Sequence, residues 1–147
     1  MTDLTPPAWR LRPATPADVE PIAELRAVVL RPDLTRLGRY DAVRVRQRLR
    51  DGFDPTHTRI IEVAGRLAGC IALRPADDTV WLEHFYLDPT LQGRGVGTGV
   101  LTHALATTPG PIRLNVLQGS PARRLYERHG FTLDSEDAVD VYLIKRP

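Results

Sequence analysis

The chain has one cysteine, Cys70. That excludes an internal disulfide and any zinc site built from several cysteines. It has one lysine, Lys145, so nearly all of its positive charge is arginine. No apolar run comes near the ~20 residues that a transmembrane helix needs. The opening residues, Met1-Thr2-Asp3-Leu4-Thr5-Pro6-Pro7, hold neither a basic nor an apolar stretch, so no signal peptide is expected. A large charge of one sign is also missing. Lys and Arg number 20 against 18 Asp and Glu, a formal net charge of +2, with a sequence pI of about 9.0. That is too mild for the clustered basic face of a nucleic-acid binder. The chain is expected to engage neither nucleic acid nor membrane and to work in the cytoplasm. The bias to Arg favours planar, bidentate contacts to carboxylate and phosphate.

What is present is an ordinary soluble composition: 147 residues, 42% hydrophobic and 26% charged. The length suits one domain with a real core. Residues 1–8 read as a disordered lead-in and 9–147 as a single domain. Trp9 to Arg12 alternates like a short strand. Thr15-Pro16-Ala17-Asp18 opens a helix that Pro32 is expected to end. A second helix is expected from about Asp41 to Arg50, with Arg44, Arg46, Arg48 and Arg50 mostly outward. Then come three strands, Arg59–Val63, Leu67–Leu73 and Val80–Leu87, joined by tight turns into an antiparallel meander. A helix from Thr98 to about Thr107, a strand Ile112–Leu117, a helix opened by Ser120-Pro121 and two last strands complete the chain. The order Val80–Leu87, helix, Ile112–Leu117 predicts a right-handed unit with those two strands parallel.

One stretch carries chemistry: Glu83-His84-Phe85-Tyr86-Leu87-Asp88-Pro89-Thr90-Leu91-Gln92-Gly93-Arg94-Gly95-Val96-Gly97-Thr98-Gly99. A strand feeds a glycine-rich turn and then a helix N-terminus. Free backbone N–H groups and the helix dipole make such a place an anion site. Two familiar templates fail. The Rossmann spacing G-x-G-x-x-G puts Thr98 or Val100 where its third glycine belongs, and no Gly-Lys-Ser/Thr of a P-loop exists. What remains is Gln92-Gly93-Arg94-Gly95-Val96-Gly97, a Q-x-x-G-x-G directly after a strand.

That stretch resembles the pyrophosphate-binding motif of the GNAT superfamily of N-acetyltransferases. A second stretch, Ala122-Arg123-Arg124-Leu125-Tyr126-Glu127-Arg128-His129-Gly130-Phe131, is similar to the family's A-x-x-L-Y-x-x-x-G-F helix. The order of elements from Leu11 to Leu143 also resembles the family. The resemblance implies an α/β (α+β) fold with a mixed, mainly antiparallel sheet of about six to seven strands flanked by four helices. It implies that the parallel pair splays apart. It further implies direct transfer of an acetyl group from acetyl-CoA to a primary amine of a small molecule, peptide or protein, without a metal. A non-catalytic acyl-CoA-binding or sensor domain of the same fold is the alternative. The expected state is monomer or homodimer.

On this resemblance, Phe85, Tyr86 and Leu87 meet the pantetheine arm, and Gln92, Gly93, Arg94, Gly95, Val96, Gly97 and Thr98 hold the pyrophosphate. Where the family often has Asn just before the last helix, this chain has Gly119-Ser120-Pro121, so Asn115 is the substitute contact. Tyr126 matches the acid that protonates the leaving thiolate. Glu83 is the first candidate base, being a carboxylate in an otherwise apolar strand. His84 is the second. On a regular strand only one of the two faces the acceptor, unless a bulge shifts the register. Arg123, Arg124 and Arg128 are weaker candidates for phosphate. The acceptor is expected between roughly Arg31 and Asp51 and the turn near Ser135–Val139.

Overall fold

The computed structural model describes residues 6–147. The first five positions of the expected lead-in lie outside the described residues, and Pro6 to Ala8 have no regular secondary structure. The strands are β1 (Trp9–Pro13), β2 (Thr58–Val63), β3 (Arg66–Ala76), β4 (Thr79–Leu87), β5 (Ile112–Leu117), β6 (Thr132–Glu136) and β7 (Asp140–Lys145). The helices are α1 (Val19–Arg36), α2 (Ala42–Gly52), α3 (Val96–Thr107) and α4 (Ala122–Arg128). All seven strands form one sheet in the order β1-β2-β3-β4-β5-β7-β6. Every neighbouring pair is antiparallel except β4 and β5. This is the mixed sheet with four helices that the sequence predicts. No helix among the described residues is long and apolar enough to cross a membrane.

Each sheet face has its own core. Ile71, Leu82, Leu114 and Leu143 pack under Val100, Leu101 and Ala104 of α3 and Tyr126 of α4. On the other face Ile60, Cys70 and Tyr86 pack against Ile22 and Ala23 of α1 and Leu49 of α2. The helices thus cover opposite faces, α1 and α2 on one and α3 and α4 on the other.

Several boundaries differ from the sequence reading. β3 runs on to Ala76 past the expected Leu73, and α4 has Pro121 rather than Ser120 at its N-cap. Two others have a clear physical reason. Pro32 does not end α1, which runs through it to Arg36. A proline inside a helix removes the bond to the carbonyl four residues earlier. That residue is Val28, which is 55% exposed, so water can serve the freed group. The third helix starts at Val96, two residues before the expected Thr98, because Gly95 takes the N-cap position.

Candidate active site

The glycine turn is built to leave its amides free. Asp88 opens it by accepting from the Thr90 N–H at 2.9 Å. The Gln92 side-chain amide donates to the Leu87 carbonyl at 3.0 Å, tying the turn to the end of β4. Gly95 then caps α3 with φ +87, a left-handed conformation that a residue with a Cβ adopts only under strain, and it offers no side chain to bond the first helical amides. The first helical bond is Gly99 N–H to Gly95 O at 3.0 Å. None of the six amides from Gly93 to Thr98 donates to an acceptor among the described residues. A Cβ placed on Gly97 would meet nothing within 4 Å, so the backbone is open to an incoming group. Six free donors at the positive end of a 12-residue helix are an arrangement that suits an anion.

The strand that leads into the turn leaves its neighbour. β4 and β5 pair only at Val80 with Ile112 and at Trp81 with Arg113. Beyond those positions β4 runs on to Leu87 and β5 to Leu117 without pairing to each other. Both strands therefore face a gap with unpaired peptide groups. On its other side β4 stays paired with β3, but with a register shift: Cys70 opposes Tyr86 while Ala72 opposes Glu83. One extra residue sits in β4, and His84 takes φ +48 there.

This bulge changes where the two base candidates point. Leu82, Phe85 and Leu87 belong to the α3–α4 face. Glu83 and His84 both fall on the α1–α2 face. Glu83 is half-buried and accepts from Arg74 Nε at 2.8 Å, so its surroundings are an ion pair rather than the expected apolar run. His84 lies near Gly52 of α2, and its Nδ1 is 3.1 Å from Tyr86 Oη. Arg26 Nε donates to the same hydroxyl at 2.9 Å. Since Arg26 is a pure donor, the tyrosine proton is free to go to His84 Nδ1, which leaves the imidazole proton on Nε2. Burial holds the His84 pKa below the ordinary imidazole range, against the pull of Glu83. Burial also pushes the Tyr86 phenol up to about 12.

Tyr126 is 6% exposed. Its ring lies 5.7 Å from Phe131 and 6.5 Å from Phe85, beside the unpaired half of β4. Its hydroxyl has no partner among the described residues, and no enclosed side-chain polar atom there is left unpartnered. The oxygen itself therefore stays open rather than sealed in the core. Burial raises its pKa well above the ordinary phenol value. Asn115 is exposed and donates to Asp140 Oδ1 at 3.1 Å. It lies on the face away from Leu114, so it turns from the α3–α4 core. Arg94 is exposed at the turn, Arg124 and Arg128 are exposed on α4, and Arg123 pairs with Glu127 at 3.5 Å.

Comparison with known families matches residues 54–133 to the acetyltransferase (GNAT) domain. The chain belongs to the GNAT family. Solved structures similar to this GNAT chain include the PaiA N-acetyltransferase of Thermoplasma acidophilum in complex with coenzyme A. It is 18% identical over 95% of this chain and 99% of that one, with a TM-score of 0.76. An N-acetyltransferase of Staphylococcus aureus Mu50 is 21% identical over 92% and 99%, with a TM-score of 0.70. The N-acetylglutamate synthase of Neisseria gonorrhoeae, complexed with coenzyme A and N-acetyl-glutamate, is 20% identical over 95% of this chain and 35% of that one, with a TM-score of 0.66. A comparison with curated protein sequences gave no match.

Two features of this GNAT site were missed in the sequence. Arg26 sits 60 positions from Tyr86 and has no motif around it. Gly69 lies so close to β4 that an added Cβ would stand 2.1 Å from the Tyr86 carbonyl oxygen. A glycine inside the apolar run Leu67–Leu73 was the available signal, since a strand glycine often marks close backbone approach.

Proposed function

We propose that this chain is an N-acetyltransferase that moves an acetyl group directly from acetyl-CoA to a primary amine. One observation carries the reading: β4 both leaves its parallel neighbour after Trp81 and ends in a turn with six acceptor-free amides. A slot edged by peptide groups and closed by an anion cradle suits a ligand with amide bonds at one end and a pyrophosphate at the other. Membership of the GNAT family supports it, as do two structural neighbours described as complexes with coenzyme A.

Acetyl-CoA supplies the thioester, and the residues of this chain do the rest. Amides from Gly93 to Thr98 bind the pyrophosphate, and the free edge of β4 around Phe85 to Leu87 pairs with the amide arm. A β4 amide near Phe85 or Tyr86 stabilises the oxyanion, a contact typically worth about 3 kcal/mol. Glu83 takes the proton from the attacking amine on the α1–α2 side. Tyr126, kept protonated by burial, gives its proton to the departing sulfur. A carbon–nitrogen bond forms as the carbon–sulfur bond breaks. His84, with Nδ1 engaged by Tyr86, orients the strand rather than acting as the base.

The test is calorimetric titration with acetyl-CoA, followed by thiol release with a panel of amines. Binding together with amine-dependent release is expected. Gly95→Ala should weaken binding about tenfold, because φ +87 strains a Cβ that would also lie 3.0 Å from Pro6. Absence of binding overturns the reading. Binding without release for any amine would instead make the chain an acyl-CoA sensor.

A further inference from the structure

A cavity of about 500 Å³ opens where α1 and α2 meet the end of β5 and the β6–β7 turn. That is large enough for a small ligand. Four of its lining residues are arginines: Arg26 of α1, Arg39 of the α1–α2 connection, and Arg44 and Arg48 of α2. The alternating arginines of α2 divide sharply. Arg46 and Arg50 turn to α1 and pair with Glu24 and Glu20 at 2.8 and 2.7 Å. Arg44 and Arg48, four residues apart on another face, line the cavity instead. Among the described residues, Arg39, Arg44 and Arg48 pair with no carboxylate, as is true of several surface arginines, but these three converge on one cavity.

The acids that share the cavity are each fixed by the fold through one oxygen, Oδ1. Asp41 accepts from the Val43 and Arg44 amides as the cap of α2, at 3.0 and 2.8 Å. Asp137 accepts from the Val139 and Asp140 amides at 2.8 and 2.7 Å. Asp140 accepts from Asn115. Fixed in this way, none of them reaches the guanidinium groups of Arg39, Arg44 and Arg48 as an ion pair, and an oxyanion is the group that a guanidinium fork matches. The cavity also reaches the reacting strand. Arg26 lines it and donates to Tyr86 Oη on β4, next to His84 and Glu83.

We propose that this cavity selects the acceptor, and that the acceptor is a small primary amine that also carries an oxyanion, a carboxylate or a phosphate. The inference rests on the acetyl-transfer reading and names the substrate class for it. Arg39, Arg44 and Arg48 hold the oxyanion, and the amine is left to point toward β4. Cationic acceptors such as polyamines and basic peptides are disfavoured by the same charges.

The experiment measures kcat/KM by thiol release for matched amines: β-alanine against propylamine, and O-phosphoethanolamine against ethanolamine, with spermidine as the cationic arm. The oxyanion-bearing member should win by about tenfold or more in at least one pair, and which pair wins separates carboxylate from phosphate. In the double variant Arg44→Gln/Arg48→Gln that preference should fall about tenfold, through KM rather than kcat. Arg66→Gln, at the start of β3, should leave it intact. Equal rates within both pairs, a preference for spermidine, or a preference that survives in the double variant overturns the proposal. If no amine turns over, thermal shift reads the cavity directly. Stabilisation by β-alanine or O-phosphoethanolamine that is lost in the double variant supports the proposal, and no stabilisation overturns it. The acetyl-transfer reading is judged apart, by acetyl-CoA calorimetry, so a chain that binds the amino acid and not acetyl-CoA sinks that reading alone.

Discussion

At Tyr126 the ring and the hydroxyl meet different surroundings. The ring fills the core between Phe85 and Phe131, while the hydroxyl makes no hydrogen bond among the described residues. Removing only the oxygen therefore tests chemistry with little effect on packing. Tyr126→Phe should unfold within about 0.5 kcal/mol of the parent and lower kcat about 10²-fold, the usual scale for a lost general acid. Parallel denaturation and steady-state rates check this, and an unchanged kcat rejects the role. The phenol pKa lies above its ordinary value, so the acid form persists across neutral and mildly basic pH. No basic limb of the kcat profile below about pH 10 should belong to this group. Tyr126 was named through the resemblance of Ala122–Phe131 to the family's helix, while helix spacing alone read it as a core residue beside Leu125. Arg26 was not, since its partner Tyr86 is brought close only by the packing of α1 on the sheet.

Strand β4 shows what local pattern can and cannot reveal. Its run into a glycine turn and then α3 is local, so the strand, the turn and the helix after it were all legible. The bulge was not, because His84 sits at φ +48 without a glycine to mark it. It moves Glu83 and His84 onto one face, where strict alternation would separate them. The split of the α2 arginines was also hidden, since alternate spacing alone does not say which side has acids to pair with. The close approach of β3 to β4 gives the test at this scale. A methyl at Gly69 would collide with backbone, at 2.1 Å from the Tyr86 carbonyl oxygen and 3.1 Å from Leu87 Cα. Backbone cannot swing aside as a side chain does. Gly69→Ala should cost about 3 kcal/mol, the upper end for an overpacked core. It should also weaken acetyl-CoA binding, because Leu87 anchors Gln92 and so the turn. A parental denaturation midpoint would show that the strands are not so close.

The stability of the whole molecule is tied to pH through groups that titrate differently in the folded and unfolded chain. Asp18 is 6% exposed. It accepts from Arg12 at 3.0 and 2.9 Å and from the Thr15 N–H at 2.8 Å. Arg12 also reaches Glu62 at 3.0 Å, and Glu62 accepts from Arg10 at 2.8 Å. The network joins β1, β2 and the start of α1, the edge from which the first helix is laid across the sheet. The Arg12 guanidinium holds the Asp18 carboxyl below the usual carboxylate range, against its burial. Arg10 and Arg12 do the same for Glu62. A carboxyl whose folded pKa is lowered binds fewer protons folded than unfolded, so its stabilisation is complete above about pH 4 and is lost as pH falls through the folded value. His84 has the same sign for a different reason. Burial lowers its pKa, so the unfolded chain takes the proton first and stability falls as pH drops below about 6.5. The unfolding free energy should therefore decline on acidification in two stages, one below about pH 6.5 and a steeper one below about pH 4. His84→Gln should flatten the first stage only. Asp18→Asn should lower the neutral plateau by about 2 kcal/mol, since Arg12 loses its main partner, and should shallow the second stage. Denaturant unfolding from pH 3 to 8 separates the two variants. If both curves keep the parental shape, the buried imidazole and the Arg12–Asp18 pair do not set the acid limb of this protein.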